Sequence, residues 1–112
     1  MRKKLGTHEQ LVIEQLKDAE FAAEYLNEHW SYHGPRRMEY LLQALHRVAL
    51  ARGISKVARE SGIGRRALHK LFSENGNPTA ETLLAILDTI GVSVRFDTVR
   101  KKSSGRRARA AA

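Results

Sequence analysis

From Thr7 to Trp30 the apolar residues Leu11, Leu16, Phe21, Ala22, Tyr25, Leu26 and Trp30 recur mostly at steps of three to five. That period predicts helix with one buried face. Asp18 stands where it can cap a second helix inside this stretch, with Phe21 three residues on. The run His29-Trp30-Ser31-Tyr32-His33-Gly34-Pro35 then interrupts the period, because Gly34 permits unusual backbone angles and Pro35 restricts the residue before it. A new helix is expected from there. Met38, Leu41, Leu42, Leu45, Val48 and Ala49 lie at i, i+3, i+4, i+7, i+10 and i+11, an amphipathic pattern that Arg52-Gly53 would end with a cation and a permissive residue.

Shorter elements follow. Ser55 is read as the cap of a helix through Glu60, Gly62 turns the chain, and Arg65 to about Phe72 has helical spacing at Leu68, Leu71 and Phe72. Ser73-Glu74-Asn75-Gly76-Asn77-Pro78 is a loop by its turn residues. Thr79 can then cap a helix carrying Leu83, Leu84, Ile86, Leu87 and Ile90 as far as Gly91. The alternation Val92-Ser93-Val94-Arg95-Phe96 predicts one short strand, which needs a partner from a second copy or from outside the visible pattern. No internal repeat is present, and the expected fold is mainly α.

Composition narrows the classes. The 112 residues suit one small domain with appendages, and no apolar run approaches the roughly 20 residues that span a bilayer. Met1-Arg2-Lys3-Lys4-Leu5-Gly6 is basic but is followed by His8, Glu9 and Gln10 rather than an apolar stretch, so a cytoplasmic location is expected. The absence of Cys excludes disulfides, thiol catalysis and Cys-based zinc sites.

The formal net charge of +8 becomes informative once it is located. Residues 1–34 net −2, residues 35–78 net +6, residues 79–99 net −2, and residues 100–112 net +6. The division gives an N-terminal helical extension at 1–34, a central domain at 35–99, and a basic tail at 100–112. That tail has almost nothing to bury and is read as disordered. Such an excess suits a polyanionic partner, most often nucleic acid.

The central block carries a specific spacing. Gly62 follows Ala58 by four residues, Ile63 comes next, and Leu68 and Leu71 lie ten and thirteen residues after Ala58. Two helices crossing steeply at a tight turn need this arrangement: a small Ala58 for close approach, Gly62 for the turn, and Val57, Ile63, Leu68 and Leu71 to fill the angle. Arg65, Arg66, His69 and Lys70 are then left off the buried face, as in a helix-turn-helix presenting its recognition helix to the major groove. Arg65 and Arg66 have bidentate donors for guanine O6 and N7 or for phosphate oxygens, near a helix N-terminus that favours anions. His69 and Lys70 stand one turn further along. Ser55 and Lys56 are candidates for backbone phosphate contacts.

At these residues the chain resembles a known family. Gly53 to Ile63, continuing through Ala67-Leu68-His69-Lys70-Leu71-Phe72-Ser73-Glu74-Asn75-Gly76-Asn77-Pro78-Thr79 to Glu81-Thr82-Leu83-Leu84, is similar to the addiction-module antidotes, HigA-like antitoxins. Leu16 to Asn27 fits the N-terminal helix of that family, and Glu74-Asn75-Gly76-Asn77-Pro78-Thr79 is the most specific piece. The resemblance covers about residues 11–96. It implies a five-helix-type Cro/C1 (lambda-repressor-like) helix-turn-helix domain with an N-terminal helical extension and a short C-terminal strand. It further implies an antitoxin that binds double-stranded operator DNA as a homodimer, represses its own operon and neutralises a RelE-like toxin. Gly64 departs from the family, which usually places Ser at that cap, and the linker His29 to Pro35 replaces a more acidic stretch.

Other chemistry is weaker. His29 and His33 are four apart without a third ligand at metal spacing, so they are read as surface residues and no metal or cofactor is expected. Trp30, Tyr25, Tyr32 and Tyr40 are expected to pack the N-terminal helix onto the core. No nucleophile, base and orienting group stand together, so the chain is not expected to be an enzyme. A prophage-type helix-turn-helix regulator without a toxin partner is the competing reading. A dimer could use residues 79–96, through the apolar face of the last helix and pairing of the strands. The acidic helices would leave surfaces for a basic toxin while the central block faces DNA.

Overall fold

The computed structural model describes residues 7–73 and 75–99; Glu74 and the basic tail expected at 100–112 lie outside the described residues. Six helices make up the described chain: α1 (Thr7–Gln15), α2 (Ala19–Trp30), α3 (Arg37–Arg52), α4 (Ile54–Ser61), α5 (Arg65–Leu71) and α6 (Ala80–Thr89).

Local rules set most boundaries. The Asp18 carboxylate accepts from the Phe21 N–H at 3.0 Å and starts α2, as its spacing predicts. Thr79 starts α6 in the same way, its hydroxyl oxygen accepting from the Thr82 N–H at 3.1 Å. Ser55 does not cap α4. That helix begins at Ile54, two residues earlier than a Ser55 cap would set it, and Gly53 at φ +99° is at once the C-cap of α3 and the N-cap of α4, so Ser55 falls inside the first turn. Gly62, left-handed at φ +81°, closes α4 with its N–H on the Ala58 carbonyl at 3.1 Å.

α2 packs along α3, α1 also reaches α3, and α4 touches α3, α5 and α6. One buried cluster joins them: Leu16, Ala22 and Leu26 from the N-terminal segment, Leu42, Leu45 and Val48 from α3, and Val57, Leu68, Ile86 and Ile90 beyond. Each fully buried aliphatic side chain of this kind stabilises the fold by about 1.5–3 kcal/mol. Polar ties reinforce the helix pairs. Arg47 donates to the Tyr25 hydroxyl at 3.0 Å, and Arg52 donates through Nη2 to the Ile90 carbonyl at 2.8 Å.

The aromatic residues divide. Tyr25 is half-buried against the core, but Trp30 and Tyr32 stay substantially exposed. Trp30 instead lies under the Arg37 guanidinium, 3.6 Å from the ring centroid, while Arg37 Nε donates to the Trp30 carbonyl at 2.8 Å. Tyr32 meets Tyr40 edge-on at 4.8 Å. These contacts clamp the Gly34-Pro35 break rather than fill the core.

The strand read from Val92 to Phe96 has no ladder, and there is no strand among the described residues. The Val92 N–H donates to the Leu87 carbonyl at 2.9 Å, and from Val92 to Val99 the chain runs on without turn or bend. A strand requires a neighbour's backbone to pair with, and a single chain supplies none here.

Candidate nucleic-acid interface

α5 is short, and its two faces differ sharply. Leu68 and Leu71 are buried, whereas Arg65, Arg66, His69 and Lys70 are all exposed. At roughly 100° per residue these four occupy an arc of about 140°, centred about 160° from the Leu68 and Leu71 stripe. The cations therefore project away from the core, and the leucines fix how the helix rolls.

α4 supplies the support. Val57 is buried and Ala58 and Ile63 are half-buried, so the angle between α4 and α5 is filled by the residues whose spacing predicts it. The Ile63 N–H donates to the Ser61 hydroxyl at 3.1 Å within the turn. Gly64 is the N-cap of α5 in extended backbone (φ −62°, ψ 154°), and no side chain caps this helix. Its carbonyl accepts from the Leu68 N–H at 2.9 Å.

Ser55 and Lys56 are exposed on α4. They share a face with Arg59, also exposed, which lies between them on the helical wheel and which sequence reasoning passed over. The signal was present: Arg59 is i+4 from Ser55 and i+3 from Lys56. Glu60 stands on the same face and moderates its charge.

A second tertiary feature bears on this surface. His46 of α3 stacks on Phe72, with ring centroids 4.7 Å apart and planes 14° from parallel. Partial burial, followed by the charges of His69 and Arg47, holds the His46 imidazole below its ordinary range.

After α5 the chain returns tightly. A Cβ placed on Gly76 would overlap the Leu71 carbonyl, so the loop's close pass against the end of α5 requires glycine there. This gives the Asn75-Gly76-Asn77 stretch a structural reason. A cleft of about 620 Å³ lies nearby, lined by Pro35, Met38, Glu39, Phe72 and Gly76 among others, and it contains none of the six side chains read from the sequence. At its edge, Arg36 donates to Glu39 through Nε and Nη2, both at 2.8 Å, and holds that carboxyl below its usual range.

The remaining histidine chemistry is structural. His29 donates through Nδ1 to the Tyr25 carbonyl at 2.9 Å and packs on the Tyr25 ring, so it is tied into α2 rather than a plain surface residue. Among the described residues, no group of three His, Asp or Glu side chains gathers as a metal site.

The family model described as "Probable addiction module antidote protein" matches residues 7–98. The chain belongs to the addiction-module antidote family. An uncharacterized protein of Haemophilus influenzae is 33% identical over 98 residues, covering 80% of this chain and 98% of that relative. No solved structure matches. The matched span contains every described helix, including the turn between α4 and α5. As an antidote the chain has a toxin partner of some kind, and no helix among the described residues is long and apolar enough to cross a membrane.

Proposed function

We propose that this antidote is the antitoxin of a type II toxin–antitoxin module, binding operator DNA as a twofold dimer, repressing its own operon and neutralising a RelE-like toxin. The observation that carries the DNA-binding part is the two-faced α5, with Leu68 and Leu71 buried and Arg65, Arg66, His69 and Lys70 exposed. The α4–turn–α5 unit serves as a Cro/C1-type helix-turn-helix, α5 entering the major groove and α4 lying against the backbone. Arg65 and Arg66 read guanine edges or grip phosphates; Lys56 and Ser55 position the motif on the phosphate chain. Action is by binding and not by catalysis, in the cytoplasm.

A twofold dimer sets two recognition helices on half-sites one helical turn apart, about 34 Å, so the operator is an inverted repeat. Footprinting of the upstream promoter tests this. The native chain protects the repeat, while Arg65→Ala with Arg66→Ala abolishes protection and leaves the helical circular dichroism intact; unchanged protection removes α5 from the interface. Co-purification with the product of the neighbouring reading frame tests the toxin separately.

A further inference from the structure

The segment after α6 is the least covered apolar part of the described chain. Phe96 is 92% exposed, Val99 84% and Val94 50%. Its side chains nevertheless alternate in an orderly way. Arg95 and Asp97 form an ion pair at 3.3 Å, which places both on one side of the chain. Val92 packs against the core, and because residues two apart share a face of a strand, strand pairing would set Val94 and Phe96 on the face opposite Arg95 and Asp97. The segment has the two faces of a strand without the neighbour.

The order of residues specifies that neighbour. Antiparallel pairing of the segment with a copy of itself keeps like faces together only when a residue sits on the twofold axis. Centred on Arg95 or on Asp97, the pairing sets like charges opposite one another. Centred on Val94, it sets Arg95 opposite Ser93 and leaves the charges uncompensated. Centred on Phe96, it places Arg95 opposite Asp97 on both sides of the axis, Phe96 opposite Phe96 and Val94 opposite Thr98, so the charges are matched and the most exposed apolar side chain is covered.

We propose that residues 94–98 of two copies pair as antiparallel strands about a twofold axis at Phe96, with Arg95 of each chain opposite the partner subunit's Asp97. The occupant is a second copy because the segment is complementary to its own reverse. This deepens the dimer reading above and rests on it. The strand expected from the sequence thus forms on association, where the ladder bonds become available and an exposed strand edge is removed.

Oligomeric state measured without DNA tests this independently of operator recognition. The native chain sediments as a dimer. Arg95→Asp sets acid against acid across the axis, Asp97→Arg sets base against base, and each variant raises the dimer dissociation constant by at least about tenfold. An equimolar mixture of the two variants restores the dimer, because every acidic side chain at positions 95 and 97 of one variant then faces a basic side chain of the other across the axis. The pair within each chain is not restored, so only pairing between chains explains the rescue. In the naturally cysteine-free chain, Phe96→Cys gives the fastest disulfide-linked dimer under mild oxidation. A monomeric native chain, a mixture that stays monomeric, or faster cross-linking through Val94→Cys than through Phe96→Cys overturns the proposal. Operator binding by a monomer would leave the α5 assignment standing.

Discussion

His46 and Phe72 lie nearly parallel, 14° apart at 4.7 Å, and join the middle of α3 to the C-cap of α5. The contact ties a titratable side chain of α3 to the end of α5. Folded His46 resists protonation because of partial burial first, then the nearby His69 and Arg47 charges. The unfolded chain takes up that proton more readily, so the group lowers stability as pH falls through the ordinary histidine range near 6.5 and ceases to add pH dependence below its depressed folded value. Denaturant midpoints measured from about pH 7.5 to about pH 4.5 should fall across this interval, with a shallower fall in His46→Gln.

Asp18 and Thr79 each satisfy one orphan N–H at a helix start. Asp18→Ala and Thr79→Ala should each destabilise the fold by about 1 kcal/mol. Because the caps belong to different helices, the double variant should be additive within about 0.5 kcal/mol. Urea melts check both values. Gly64→Ser tests the opposite direction: the extended backbone already suits a cap and a Cβ there meets nothing within 4 Å, so a gain of a few tenths of a kcal/mol is expected.

Gly76 and Leu68 hold α5 by different means. Gly76→Ala forces a Cβ onto the Leu71 carbonyl and should cost about 1–3 kcal/mol through displaced backbone. Leu68→Ala empties a fully buried position and should cost about 2–5 kcal/mol. Thermal unfolding gives the size of each loss. Hydrogen exchange should show faster opening of α5 in both.

Arg59 gives an electrostatic prediction. If α4 lies along the phosphate backbone, Arg59→Ala should weaken binding to operator and unrelated DNA alike, and reduce the slope of log affinity against log salt by about 0.9. Titrations at three or more salt concentrations check it. A loss confined to the operator would assign Arg59 to base reading instead.

The sequence was most legible where cause and effect are close in the chain. Asp18 and Thr79 lie three residues from the N–H groups they accept, and the Ala58–Gly62–Leu68–Leu71 spacing encodes its own crossing. Ser55 misled because it is a good cap residue two positions too late; Gly53 already served both helices, which depends on its φ and not on side-chain chemistry. The neighbourhood of His46 and His69 was hidden by a separation of 23 residues and no local signal. The strand at Val92 to Phe96 was legible as a pattern, but its ladder depends on atoms a single chain does not contain.

Gly53 carries a last consequence. With one residue closing α3 and opening α4, no linker decouples the two helices. α4 is therefore a lever about 12 Å long hinged at a single pair of dihedral angles. A turn of about 10° at that hinge sweeps its far end, where α5 is attached, through about 2 Å, a large part of the tolerance of a hydrogen bond. Changes at Gly53 would re-aim the arginines of α5 without touching them, and a partner that grips α3 and α4 together could set the aim of the whole motif.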